Sequence, residues 1–198
     1  TVLNNLLGMM PDKRNVVIEN EFGKASVDGS LITQSYSELY ELSNGCICCS
    51  LDEELYDVLT MLANAEQRPD NLFIETTGVA DAGTVAAIFK REDVAKVFGL
   101  QKVICVADAE NVEDYLGETN ETLRQLVCAD LILINKSALV SAEYALKLQA
   151  LMKTINPFAE AIFSIDGSIP DPALIAASTE EPEELDTSNL DFTKTGKH

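Results

Sequence analysis

The stretch LILINKSALVSAEYALKLQALMKTINPFAEAIFSI (131–165) contains the clearest structural pattern in the sequence. A short apolar run at 131–139 is followed by a segment with helical spacing of its apolar residues at 141–156, and then by a second apolar run at 159–165. Short runs rich in β-branched residues are typical of buried strands, and apolar residues three or four apart are typical of a helix. The order strand, helix, strand favours two parallel strands joined by a crossover helix.

The same alternation extends toward the N-terminus. Further strands are predicted at 15–20, 71–78 and 102–109, and further helices at 1–10, 51–67, 81–92 and 120–130. Strands that are apolar along their whole length are typical of a parallel sheet covered by helices on both faces. We therefore predict an α/β fold with a three-layer, doubly wound, mostly parallel sheet. Residues 1–178 are expected to form this domain, and the acidic segment 179–198 a linker or tail.

The composition excludes some classes of function. The chain has 198 residues and a net charge of −19, because 33 Asp and Glu residues outnumber 14 Lys and Arg residues. Nucleic-acid binding needs a basic surface, so we do not expect it here. The apolar runs are strand-length and too short to cross a membrane, so we expect a soluble, cytoplasmic protein with no membrane partner. An odd number of cysteines, five, fits reduced thiols in that compartment.

Three of the five cysteines lie within four residues, in the segment ELSNGCICCSL (41–51), as Cys46, Cys48 and Cys49. Thiols this close together rarely reach the geometry of a relaxed disulfide, which makes a soft metal ion the better interpretation. The histidine at the C-terminus, His198, is the only one in the sequence, so a metal site would use cysteines and carboxylates. Buried or merely reactive cysteines, and thiols acting in redox chemistry, are the alternatives.

Polar residues follow the apolar run in the first four predicted strands. In a parallel sheet, ligands bind beyond the carboxyl ends of the strands. The residues at those ends begin with 19–21, of which Glu19 comes first, and continue with 75–78, Asp108, Asn135 and Lys136. We expect all of them on one edge of the sheet, which is the predicted position of the functional site.

Four segments carry a resemblance to a known family. They are VIENEFGKASVDGSLI (17–32), ELSNGCICCSL (41–51), LFIETTGVADAG (72–83) and ADLILINKSAL (129–139). In this order and spacing they resemble the G domain of the CobW family. These are metal-handling GTPases of the P-loop class that also contains the hydrogenase and urease maturation GTPases HypB and UreG. The resemblance covers nearly the whole chain.

The resemblance implies a metal site. In the family the Cys-X-Cys-Cys segment and the first glutamate of the ENEFG loop approach each other as zinc or cobalt ligands. The matching residues here are Cys46, Cys48, Cys49 and Glu19. Zinc accepts thiolate and carboxylate ligands together, and thiolates select it over magnesium.

The resemblance also implies a site for GTP and Mg²⁺. Asp28, in a segment like switch I, is a candidate for contact with the nucleotide-bound magnesium. ETTG resembles the family's Walker B and switch II element. There Glu75 would lie near magnesium and the attacking water, and Gly78 would offer its N–H to the γ-phosphate. Metal ligands beside switch loops would let hydrolysis change metal affinity.

Asn135 and Lys136 resemble the start of the base-recognition motif Asn-Lys-X-Asp, in which the lysine stem packs on the purine ring. Ala138 stands where the motif has its aspartate, which removes the carboxylate that would select guanine. Thr1 is expected to follow directly on the Gly-Lys-Thr of a P-loop, since the sequence itself contains no G-x-x-x-x-G-K-[ST] motif. A smaller second domain is expected to follow residue 198.

The function implied is that of a GTP-dependent zinc or cobalt chaperone, or a metal-insertase activator. GTP hydrolysis would be coupled to metal transfer to a client metalloenzyme, with a homodimer possible as the assembly. Without a P-loop, residues 1–198 alone are expected to be inactive as a GTPase. The alternative is a thiolate metal-binding module that works without nucleotide.

Overall fold

The computed structural model describes residues 2–21, 36–43, 51–76 and 82–175. The strands in these ranges are β1 (Asn15–Glu21), β2 (Glu38–Ser43), β3 (Asn71–Thr76), β4 (Ile104–Asp108), β5 (Leu131–Asn135) and β6 (Glu160–Phe163). The helices are α1 (Val2–Gly8), α2 (Leu51–Ala63), α3 (Ala82–Ile88), α4 (Glu92–Ala95), α5 (Val112–Glu118), α6 (Asn120–Cys128) and α7 (Ala142–Ile155). Short 3₁₀ turns lie at Ser137–Leu139 and Pro172–Leu174.

All strand pairs of the described residues are parallel, as predicted. They form two three-stranded sheets, with the orders β2-β1-β3 and β4-β5-β6. The apolar residues of both central strands are buried: Val16, Val17 and Ile18 of β1 have no exposed surface, and neither do residues 132–134 of β5. Phe73 of β3 and Ile104 of β4 pack against the same apolar cluster, so the two sheets share a core.

The two faces of β5 show why its sequence is apolar throughout. Ile132 and Ile134 pack in a cluster with residues of α6 and α7, whereas Leu131 and Leu133 pack in another cluster with Leu6 of α1. Alternate side chains of a strand point to opposite faces, so helices cover β5 on both sides. The three-layer α/β arrangement is therefore confirmed for this part of the chain.

Several boundaries differ from the prediction. The run 131–139 is a strand only as far as Asn135, because Lys136 adopts a left-handed backbone conformation with φ of 58°. β2 was not predicted, because ELYELS mixes apolar and charged residues; pairing with β1 forms it as a strand. α5 was also not predicted.

The predicted helix 51–67 ends at Ala63. Two side chains occupy its last carbonyl groups: Asn64 Nδ2 donates to the Thr60 oxygen at 2.8 Å, and Arg68 Nε donates to the Ala63 oxygen at 3.0 Å. Side-chain donors of this kind help to satisfy the carbonyl groups in the last turn of a helix. None of the helices in the described ranges is long and apolar enough to cross a lipid bilayer.

Asn156, directly after α7, joins three elements. It is 5% exposed, and its Nδ2 donates to three main-chain oxygens at 2.8–3.1 Å, those of Leu126, Val127 and Ala129. Its Oδ1 accepts from two main-chain N–H groups in the turn before β6. One buried side chain therefore provides hydrogen-bond partners for main-chain groups at the end of α6 and in the turn leading into β6.

We expect Asn156→Ala to lower the free energy of unfolding by about 2–4 kcal/mol, because it leaves buried carbonyl and N–H groups without partners. Urea unfolding followed by circular dichroism measures the loss. Asn64→Ala is the matched control: Asn64 is exposed, and its removal should cost less than about 1 kcal/mol. Equal losses in the two variants would contradict the role given to Asn156.

Candidate functional site

Three glutamates lie side by side at the carboxyl ends of the first sheet. Glu19 of β1 is in register with Glu41 of β2 on one side and with Glu75 of β3 on the other. Neighbouring strands are ~4.8 Å apart, and residues in register project from the same face. Glu19 is half-buried, while Glu41 and Glu75 are exposed. The structure thus brings together two of the predicted site residues, one from the metal site and one from the hydrolytic site.

The cysteine segment begins at the same edge. β2 is parallel to β1 and ends at Ser43, and α2 begins at Leu51. Cys46, Cys48 and Cys49 join these two ends and lie outside the described residues, so their predicted role as ligands stays a prediction. Among the residues that are described, no group of three or more His, Cys, Asp or Glu side chains is placed to hold a metal ion.

The two cysteines of the described ranges do not belong to this edge. Burial raises the pKa of the Cys105 thiol to about 11, which keeps it protonated at neutral pH. Cys128 is exposed at the end of α6, just before β5 begins, and so lies toward the opposite edge of the sheet. Neither thiol is suited to serve the predicted metal site.

The second sheet places the predicted base-recognition residues at the corresponding edge. Asn135 is the last residue of β5, and its Oδ1 accepts from the Gly167 N–H at 2.9 Å. Its Nδ2 is a donor of the kind that can serve a ligand. Ser137 also donates through its hydroxyl to the Ser164 oxygen at 3.0 Å. The turns after β5 and β6 are therefore joined by side-chain hydrogen bonds.

Lys136 reaches across to the neighbouring strand. Its Nζ lies 2.8 Å from Asp108 Oδ2 at the end of β4, and its side chain is 48% exposed. Asp108 also accepts from the Glu110 N–H at 2.9 Å and from Asn111 Nδ2 at 3.0 Å. Asp108 was predicted at this edge from its position after a strand; its pairing with Lys136 was not foreseen.

The ion pair shifts the pKa values of both Asp108 and Lys136. Partial burial pushes the pKa of Asp108 upward, but hydrogen bonds from Lys136, Asn111 and the Glu110 N–H outweigh it, and the net pKa is lowered. The hydrogen bond to Asp108, followed by its negative charge, raises the pKa of Lys136. Both groups are therefore charged at neutral pH, and the pair is intact.

Ala138 borders an open, mainly apolar recess of about 350 Å³. Its lining includes Ser137, Leu146, Phe163 and Ile165. The turn beside it contains Asp166 and Gly167, with φ of 51° and 70°. Sequence reasoning missed this turn, although an Asp-Gly pair after an apolar run is a known turn signal.

Three further predicted residues, Thr1, Asp28 and Gly78, lie outside the described residues. Their roles stay predictions, as does the boundary between a domain at 1–178 and a tail at 179–198.

Comparison with known proteins identifies the family. Residues 1–163 match the family model described as CobW/HypB/UreG, nucleotide-binding domain. The chain is 35% identical to the zinc chaperone YjiA of Escherichia coli over 161 residues, which are 79% of this chain and 50% of the relative. It is 30% identical to the zinc-regulated GTPase metalloprotein activator 1 of Schizosaccharomyces pombe, over 97% of this chain and 48% of the relative. The chain thus spans about half the length of these curated relatives.

Solved structures show the same fold. The crystal structure of Zn(II)-bound YjiA GTPase from E. coli matches 89% of this chain and 56% of its own, with a TM-score of 0.63 and 24% identity. HypB from Helicobacter pylori in complex with nickel matches 88% of this chain and 74% of its own, with a TM-score of 0.52 and 16% identity. Both support the α/β fold of the P-loop NTPase type. With the family model matching residues 1–163, the chain belongs to the CobW/HypB/UreG family.

Proposed function

We propose that this chain is the nucleotide-binding part of a GTP-dependent metallochaperone that delivers zinc to a client metalloprotein. The observation that carries the proposal is the register of Glu19 with Glu75 on adjacent strands. It places a candidate metal ligand directly beside a candidate hydrolytic residue. A change at one carboxylate can therefore act on the other over the width of one strand spacing.

The candidate metal ligands are of the types that zinc binds. Zinc is bound in proteins by thiolate and carboxylate ligands, and Cys46, Cys48, Cys49 and Glu19 would supply both. Zinc is preferred to cobalt here because the curated relatives are named zinc chaperones or a zinc-regulated activator. The name of the S. pombe relative, a metalloprotein activator, supports a metalloprotein as the client.

The proposed site for GTP and Mg²⁺ also rests on the chemistry of its candidate ligands. Mg²⁺ prefers oxygen ligands. The exposed carboxylate of Glu75, at the end of β3, could bind this ion or orient the attacking water. Asp28 would be a further ligand of the ion. Mg²⁺ would neutralise charge on the phosphates. Gly78 and Thr1 would contact the phosphate groups, while Asn135 and Lys136 would hold the base.

We expect the zinc affinity of the complete gene product to differ at least about fivefold between its complexes with a non-hydrolysable GTP analogue and with GDP. Coupling between two sites typically has this size or more, and the metal and hydrolytic residues are adjacent. Competition with a chromophoric zinc chelator measures the two affinities. By linkage, zinc should change the ratio of the affinities for the GTP analogue and GDP by the same factor.

Two outcomes would contradict the proposal. Equal zinc affinity in both nucleotide complexes would show that hydrolysis does not control the metal. Zinc binding with no nucleotide binding at all would favour the alternative, a metal-binding module that works without nucleotide.

A further inference from the structure

Lys136 is held at both ends of its side chain. Its backbone has the left-handed conformation, which is uncommon for a residue with a side chain, and its Nζ is bound to Asp108 at 2.8 Å. Asn135 and Asp108 are in register on the neighbouring strands β5 and β4. The Lys136 side chain therefore crosses from the end of one strand to the end of the next, with its ammonium group fixed at the far side.

Asp108 is itself held in place. One of its oxygens accepts from the Glu110 N–H, and the other accepts from Asn111 Nδ2 as well as from Lys136. A carboxylate with these partners has little freedom to follow a moving lysine. The tether on Lys136 is therefore a fixed point of the fold.

An unrestrained lysine side chain loses up to about 2 kcal/mol of rotamer entropy when it is ordered against a ligand. A lysine that is already ordered in the free protein does not incur this loss at binding, which is the general advantage of preorganisation. The Lys136 side chain is 48% exposed and runs from the end of β5 to Asp108 at the end of β4, so its stem can serve as a preformed apolar surface for one face of a flat ring.

We infer that Asp108 is a positioning residue for nucleobase binding, which acts by holding the Lys136 stem in place as the surface on which a purine ring packs. The inference rests on the proposed nucleotide-binding function and adds to it a residue outside the base-recognition segment. Asp108 itself touches only protein groups in this role.

The experiment compares two ligands, of which only one carries a nucleobase. Binding of GTP and of inorganic triphosphate to the complete gene product is measured by calorimetry for the native protein and for Asp108→Ala. We expect Asp108→Ala to weaken GTP binding about five- to thirtyfold, the factor that corresponds to releasing one lysine side chain, and to change triphosphate binding less than twofold. In steady-state hydrolysis the variant should raise KM and leave kcat unchanged.

Two further variants complete the design. Asp108→Asn keeps the size of the side chain and should give a smaller loss, because an amide oxygen still accepts from Lys136. Glu118→Ala removes an exposed acidic residue from the nearby helix α5 and should leave both affinities unchanged. Thermal unfolding of each variant shows whether it is folded, and Asp108→Asn serves in place of Asp108→Ala if the latter is not.

The outcomes separate the possible failures. Equal losses of GTP and triphosphate binding would mean that Asp108 supports the fold in general. Unchanged GTP binding in Asp108→Ala would mean that Lys136 needs no tether. Either result overturns the inference and leaves the proposed function standing. The inference is also overturned if the native protein binds GTP no more tightly than inorganic triphosphate. A native protein that binds neither ligand overturns the proposed function together with the inference.

Discussion

Replacing Cys46, Cys48 and Cys49 together with serine is expected to lower the zinc affinity of the protein by at least about four orders of magnitude. Thiolates supply most of the charge and covalency of such a site, and structural zinc in comparable peptide sites is bound by about 10–16 kcal/mol. Serine hydroxyls stay protonated at neutral pH and are poor ligands for this ion. Cobalt(II) reports the site directly, because thiolate ligation produces charge-transfer absorption that the triple variant should lack.

The other two cysteines provide a matched control. A variant with Cys105→Ala and Cys128→Ser removes a partly buried, protonated thiol and an exposed one that lies away from the candidate site. Its cobalt spectrum and zinc affinity should equal those of the native protein. An unchanged spectrum in the triple variant would remove the metal site from the 46–49 segment.

Glu75→Gln is expected to lower kcat for GTP hydrolysis in the complete gene product by about 10²–10⁴-fold, the range found when a positioned proton-transfer group is lost. The substitution keeps the shape of the side chain at the end of β3 but removes its charge and its ability to accept a proton from water. Single-turnover hydrolysis measures the chemical step. Binding of a non-hydrolysable GTP analogue should change much less than kcat.

Glu41→Gln is the control that the sheet itself offers. Glu41 lies in register with Glu19 on the side opposite Glu75 and is also exposed, so it matches Glu75 in charge and neighbourhood. Its loss should change kcat less than about threefold if Glu75 acts through its own position rather than through the summed charge of the row. Similar losses in both variants would show a general electrostatic effect and would remove the catalytic role from Glu75.

The elements that could be predicted are those whose evidence is local in the chain. The run LILI before Asn135 and the helical spacing from Ala142 to Ile155 each carry their own signal, since a strand buried on both faces must be apolar throughout. β2 carried no such signal, because half of its residues are charged or polar and its partner strand decides its conformation. The end of β5 was misjudged for a related reason: the left-handed turn at Lys136 is supported by contacts with distant residues.

The fold class and the thiol cluster could be predicted from the chain alone, because periodicity and close spacing are properties of neighbouring residues. The family, and with it the ligand role predicted for Glu19, came from the resemblance of four short segments. Which carboxylates lie side by side could be read only from the folded chain. Parallel strands must be joined by long crossover connections, so neighbours in the sheet are remote in the chain, and their register depends on packing over the whole core. The adjacency of Glu19 and Glu75, the tether from Lys136 to Asp108 and the hydrogen bond from Gly167 to Asn135 all arise in this way.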